Sequence, residues 1–427
     1  VPDLTALRDA IDGDVCTPGS PGYDTVRRPA HAACPRVSPR LVVRCRSVSD
    51  VVAVVRFATA TGDRVAPRGG GHCFAGRSST DGIVLDLSGL DAISVAEDGV
   101  ATIGAGARLG QVYAALHPLG RTLPAGCGPT VGITGLTLGG GIGLLGREHG
   151  LTCDRLVGAQ VVLASGTVVD TDHEPELLWA LRGAGGGQFG VVTSLRFATV
   201  PEPVTTRIEA HVPLDDVVGA WQAWAPDAPD GLTVNLTLVS EPGAPVRAVL
   251  FSAATLGEDP TRTLLREFTG RPVELRGGLP VHELKRGFDD LPATTGRMRS
   301  EFFSRALSGR TLASLLTQLG EPRNAGRRQL TFTAMGGAYN RVAEDATAFA
   351  HRGARFLLEH AGEAADPWVD RSWATAHTNG SGWVYPNFPD ACLDDWATAY
   401  HGANHPRLTA VKRVYDPHRF FDFPQAI

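Results

Sequence analysis

Lysine is nearly missing from this chain: of 40 basic residues only Lys285 and Lys412 are lysines, and arginine supplies the rest. Against 45 acidic residues this gives a formal charge of −5, and no basic run occurs anywhere, so neither nucleic acid nor an anionic membrane surface is an expected partner. The seven cysteines, Cys16, Cys34, Cys45, Cys73, Cys127, Cys153 and Cys392, never fall in a C-x-x-C pair and no histidines cluster beside them, which argues against a structural zinc site. Cys16 and Cys34 lie in a Pro/Gly-rich stretch, where a disulfide after export and two reduced thiols fit equally well. No apolar run reaches the roughly 20 residues that span a bilayer, and no signal-peptide pattern opens the chain. Because it starts at Val1 rather than Met, cytoplasm and export after removal of a leader both stay open, with a soluble protein expected in either case.

What is present describes an ordinary globular protein, 43% hydrophobic and 20% charged over 427 residues. That length exceeds one comfortable core, so two domains are expected. Thr5 to Ile11 reads as a short helix. From Leu41 the pattern becomes βαβ-like: LVVRC as a strand, a helix capped by Ser49 and stopped by Gly62, then RVAPRGGGH as a strand and its loop. Short strands GIVLDL, AISVAED and VATIGAG follow, then a helix from Leu109 to Leu116, a hairpin through Ser165-Gly166 and a short helix in PELLWALRGAG. After the prolines at 201 and 203, TTRIEAHVPL, LTVNLTLVSE, VRAVLFSAATL and QLTFTAM alternate as half-buried antiparallel strands do. DPTRTLLREFTG, SGRTLASLLTQLG and EDATAFAHRGARFLLEHAG carry helical periodicity. The expected fold class is α+β.

The chemistry concentrates in glycine-rich loops. In PRGGGHCFAGR, Pro67 to Arg77, an imidazole follows three glycines at the end of a strand, an arrangement that lets backbone amides cradle an anion while His72 faces what the loop holds. GLTLGGGIGLLG, further on, is not a Rossmann fingerprint: the preceding PAGCGPTVGITG is itself turn-like and no βαβ unit surrounds it.

In their order and spacing these segments, together with RGAGGGQFGVVTSLRF from Arg182, GWVYPNFPD from Gly382 and the closing AYHGANHPRLTAVKRVYDPHRFFDFPQAI, resemble the berberine bridge enzyme-like flavoproteins, a branch of the vanillyl-alcohol oxidase / p-cresol methylhydroxylase superfamily. The resemblance implies an FAD-binding domain of two α+β subdomains over residues 1–202, a substrate domain with an antiparallel sheet backed by helices over 203–384, and a segment, 385–427, returning to the first. It implies covalent FAD on His72, with Arg68, Gly69, Gly70 and Gly71 in the attachment loop. Gly128, Thr130, Val131, Gly132, Thr134 and Gly135, with Gly139, Gly140 and Gly143, are the expected phosphate-holding stretch, and Gly187, Val192 and Asn387 complete the cofactor set.

One departure stands out. Many members of the family it resembles carry a second flavin bond from a cysteine immediately before P-T-V-G, whereas this chain has Gly128 there and Cys127 one place earlier. A one-residue shift in an extended segment turns a side chain to the other face, so a single link through His72 is expected. Val131 stands where the resemblance places the residue over the oxygen-reactive face, and a valine there implies access for dioxygen. Tyr385 is the first candidate base for a substrate hydroxyl and would need a depressed pKa to act near neutrality, with Tyr339, His377 and Tyr400 behind it. Phe388, at the second aromatic position of this stretch, cannot ionise. The implied activity is oxidation of a secondary-metabolite or carbohydrate alcohol, with hydrogen peroxide formed from dioxygen. Oxidative cyclisation or dehydrogenation of an alkaloid or polyketide intermediate, and a non-redox flavoprotein scaffold, are the rival readings.

Overall fold

The computed structural model describes residues 4–31, 37–214, 216–288 and 296–427; Cys34, and with it any pairing to Cys16, lies outside them. β-Branched runs with little room for turns build the first sheet, in which Leu41–Arg44, Ile83–Asp86 and Val65–Arg68 are parallel neighbours and Asp14–Cys16 joins one edge antiparallel. The crossover helix Val48–Thr61 buries Val51, Val54, Val55 and Ala58 on this sheet. Its cap is Ser47 rather than Ser49: Ser47 is extended, and its hydroxyl accepts the Asp50 amide at 3.2 Å. Gly62 stops the helix, as expected from the sequence.

A second sheet, all antiparallel, runs in the order Ile93–Val95, Val100–Gly104, Val191–Ala198, Leu156–Val162, Val168–Asp170. Its last two strands form the expected hairpin, and the helix Leu109–Leu116 packs its buried face on the sheet.

The third sheet has seven antiparallel strands in the order Leu275–Pro280, Val204–Val212, Arg247–Ala254, Leu232–Ser240, Arg328–Ala334, Phe356–Glu363, Gly296–Phe303. Its two faces follow the two-residue period of a strand. Val234, Leu236, Leu250, Phe332, Phe356 and Leu358 face the helices Val217–Trp224, Glu258–Thr269, Gly309–Gly320 and Trp368–His377 and form a core around Trp221 and Trp368. The intervening residues face the glycine-rich loops. The α+β class and the antiparallel sheet backed by helices are thus both observed.

One expected helix is not. Over 344–362 the chain is irregular up to residue 355 and then enters the strand Phe356–Glu363. The apolar spacing at Phe349, Ala350, Ala354 and Phe356 imitates a helical face, but the backbone bonds elsewhere: Ala348 N donates to Trp179 O, Phe349 N to Arg182 O, and Trp179 Nε1 to Asp345 O. Tertiary hydrogen bonds to the first lobe override the local periodicity.

Arg147 ties the lobes together. Fully buried, it donates from Nε to Leu232 O at 3.1 Å, from Nη1 to Pro226 O at 2.8 Å, and also to the carbonyls of Met335 and Ala228. Among the described residues no helix is long and apolar enough to cross a membrane.

Candidate active site

Between the glycine loops and the open face of the seven-stranded sheet lies a cavity of about 830 Å³. Gly69, Gly70, Gly71 and His72 form one wall, continuing the strand Val65–Arg68. Gly128, Val131, Gly132, Thr134 and Gly135 form the next, at the start of the helix Ile133–Leu138. The two loops cross so closely at Gly70 and Gly132 that a Cβ on either would run into the other's backbone nitrogen. His72 Nε2 lies 2.8 Å from Thr130 Oγ1, which joins the loops through side chains as well. Gly143, Gly187, Val192, Tyr385 and Asn387 also line the cavity.

Four residues expected in the cofactor set do not line it. Arg68 sits on the other side of its strand, its guanidinium donating to Val26 O and Arg28 O. Thr130 acts through His72. Gly139 packs against the Asn387 amide, and Gly140 against Phe349 and Tyr385.

The amides at Gly139–Gly143 were expected to hold phosphate, and the structure corrects this. Gly140 N donates to Thr137 O, Gly141 N and Ile142 N donate to the Tyr385 hydroxyl at 3.0 and 3.1 Å, and Gly143 N donates to the Tyr339 hydroxyl at 3.2 Å. These donors are consumed within the chain.

The same bonds decide the fate of Tyr385. Its hydroxyl also accepts from Asn387 Nδ2 at 3.0 Å, and these donors favour tyrosinate. Burial of the whole ring outweighs them and pushes the pKa up to about 12, the opposite of the depressed value a base requires. The other candidates fare no better. The Tyr339 hydroxyl is raised by burial and donates to Gly143 O. Tyr400, raised to about 12 by burial, bonds Asp390, and His377 pairs with Glu301 on the helix-facing side of the sheet.

The residue that sequence reasoning missed is Glu359. It lines the cavity from the strand Phe356–Glu363, between Thr331 and Ser300 on the neighbouring strands. Burial alone lifts its pKa from 4.5 to about 8, and no described residue forms an ion pair or hydrogen bond with its carboxylate. Read as a strand, GARFLLEHAG would have shown a lone acid on the face opposite Phe356 and Leu358; the helical reading hid it.

The cavity fits a large, partly anionic ligand. Among the described residues, His31 Nε2, Ser78 Oγ and Ser79 Oγ are buried without hydrogen-bond partners, and all three residues line the cavity. With the glycine cradle of residues 69–71 they offer unused polar groups of the kind that the phosphates and heterocycles of FAD require.

Comparison with known proteins gives the same cofactor. Residues 39–172 match the FAD binding domain model, and residues 384–427 match the berberine and berberine-like model. An uncharacterized FAD-linked oxidoreductase, YgaK of Bacillus subtilis, is 32% identical, covering 98% of this chain and 97% of its own length. Chitooligosaccharide oxidase of Gibberella zeae is 30% identical, over 91% of this chain and 87% of its own. The solved structure of Physcomitrella patens BBE-like 1 superposes with a TM-score of 0.89 at 26% identity, over 100% of this chain and 99% of that one.

Proposed function

This chain belongs to the berberine bridge enzyme-like family of FAD-linked oxidoreductases, and from that premise we propose that it is an oxidase of a small-molecule alcohol, with Glu359 as general base and FAD joined covalently to His72. The observation that carries the reading is the lone carboxyl of Glu359, half-buried in the cavity wall, where desolvation raises its pKa to about 8. A base poised near neutrality loses a proton readily and takes one from a substrate hydroxyl as readily.

FAD bound in the cavity would supply the two-electron acceptor for a hydride, and with dioxygen as the final acceptor the by-product would be hydrogen peroxide. The rest is the work of the chain. The glycine loops at 69–71 and 128–135 and the buried polar groups of His31, Ser78 and Ser79 hold the cofactor. Glu359 accepts the hydroxyl proton while the substrate C–H bond breaks. Tyr385 stays protonated and fixes the Gly141–Ile142 turn, and Asn387, donating to Leu136 O at 2.8 Å, fixes the neighbouring helix end. Val131, half-buried at the cavity wall, is small enough to leave dioxygen a path.

Although Cys127 also lines the cavity, the engagement of its thiol supports a single flavin link. Its Sγ accepts from Lys285 Nζ at 3.4 Å, and the side chain packs with Leu144, Ala253, Leu279 and Leu284. The test is anaerobic reduction of the bound flavin by candidate alcohols in wild type and Glu359→Gln, with peroxide assayed when air is admitted. Reduction that is equally fast in the variant would sink the assignment of the base, and reoxidation without peroxide would sink the oxidase.

A further inference from the structure

The face of the sheet that carries Glu359 has little capacity to bond a polyhydroxylated ligand. We propose that the substrate is an uncharged, largely apolar ring compound with one hydroxyl at the reacting carbon, and that sugars are excluded. This rests on the oxidase reading above.

The first support is the row of side chains beside Glu359. Cross-strand register aligns Phe251 with Asn235, Thr333 with Leu357, and Leu357 with Phe302, while pairing of Leu236 with Phe332 sets Asn235 next to Thr333. The row therefore runs from Phe251 through a narrow polar middle to Leu357, and it ends at Phe302, which is fully buried and does not line the cavity. Half of that middle is already used, because Asn235 Oδ1 accepts the Ala334 amide at 3.2 Å.

The second support is the state of the hydroxyls nearby. Thr233 Oγ1 donates to Leu144 O at 2.8 Å, and the Tyr339 and Tyr385 hydroxyls are engaged by backbone amides of the 141–143 turn. What remains for a ligand among the described residues of this half is the Glu359 carboxyl, the Asn235 NH₂, the Thr333 hydroxyl and the proton of the Tyr385 hydroxyl, which accepts three hydrogen bonds and donates none.

The third is charge. Lys285, on the helix Val281–Arg286, turns its ammonium to Ala125 O and Gly126 O at 2.8 and 3.1 Å and does not line the cavity. Apart from Glu359, the charged residues lining the cavity, Arg64, Arg77, Asp81 and Asp422, belong to the 64–81 stretch and to the segment near residue 422, and none of them is on the seven-stranded sheet. An anionic substrate would meet Glu359 with no counter-charge.

A sugar ring brings four or more hydroxyls, and each one buried without a partner lowers affinity by roughly tenfold or more. A monohydric alcohol asks only for Glu359 and one neighbour, while Phe251, Phe288, Leu144 and Leu357 cover its apolar body.

The experiment titrates oxidised holoprotein anaerobically with 4-methoxybenzyl alcohol, 1-indanol, glucose and cellobiose, reading the shift in flavin absorbance for binding and its bleaching for reduction. The expected result is binding of at least one aryl alcohol at least about 100-fold tighter than either sugar. Phe251→Asn should weaken the aryl alcohol about tenfold while FAD content stays unchanged. Sugar binding as tight as alcohol binding overturns the proposal, even if the sugar bleaches the flavin and so upholds the oxidase. Binding of none of the four also overturns it. Tight alcohol binding without bleaching upholds the apolar site and instead counts against the oxidase.

Discussion

Thr130 Oγ1 lies 2.8 Å from His72 Nε2, so the imidazole is tied to the loop that precedes the helix Ile133–Leu138. A hydroxyl that fixes ring orientation acts on the geometry of bond formation. His72→Ala should therefore release all FAD on acid treatment, whereas Thr130→Val should keep FAD but lower the covalent fraction. Flavin fluorescence of the denatured protein on a gel reads both. Cys127→Ser should leave that fluorescence unchanged; its loss would make Cys127 a tether.

Replacing Val131 with Leu narrows the cavity wall by a methylene. The expected outcome is slower reaction of the reduced enzyme with dioxygen and an unchanged rate of reduction by substrate, measured by stopped flow. Equal slowing of both half-reactions would mean that Val131 shapes the pocket as a whole.

Glu359 predicts two pH dependences of different sign. As a base it must be ionised, so kcat/KM should rise with pH and level off above about 8. Glu359→Gln should flatten that limb and lower kcat by about 10²–10⁴. For stability, the unfolded chain ionises this group near 4.5 and the folded chain near 8, so between those values the native state binds more protons. The slope of unfolding free energy with pH is then negative. The contribution of Glu359 is fully present below pH 4.5 and is lost as pH rises through 8, so the advantage in Tm of Glu359→Gln over wild type should widen across that window.

Among the described residues, Arg147 has four carbonyl partners and no carboxylate hydrogen-bonded to it. Arg147→Met fills much of the volume but strands those carbonyls, and a loss of about 3 kcal/mol or more is expected. Thermal melts should show a drop of several degrees, with a fall in bound FAD as the lobes lose their common anchor.

These residues also show what a sequence can disclose. His72, its glycines and the Val131 turn were legible because close backbone approach, as at Gly70 and Gly132, demands glycine and leaves a pattern in the text. The alternating strands of the seven-stranded sheet were legible for the same kind of reason, a strict two-residue period. Glu359 was not, since the segment around it carries a false helical period whose real backbone partners, Trp179 and Arg182, lie far away in sequence. Nor was the saturation of Tyr385 visible, because its donors at Gly141 and Ile142 are more than 240 positions distant.

The cavity wall combines Gly69–His72 with Phe423 and Pro424, and the two stretches are clasped by Arg77 donating to Gln425 across 348 positions. That clasp sets an order of events during biosynthesis. A nascent chain that has emerged only through the first two sheets presents the glycine loops with one side of the cavity unbuilt, so a captured flavin is free to leave. Cofactor loading, and the bond proposed at His72, accordingly belong after translation of Gln425, and a ribosome-stalled product ending before Tyr385 should come off the ribosome colourless.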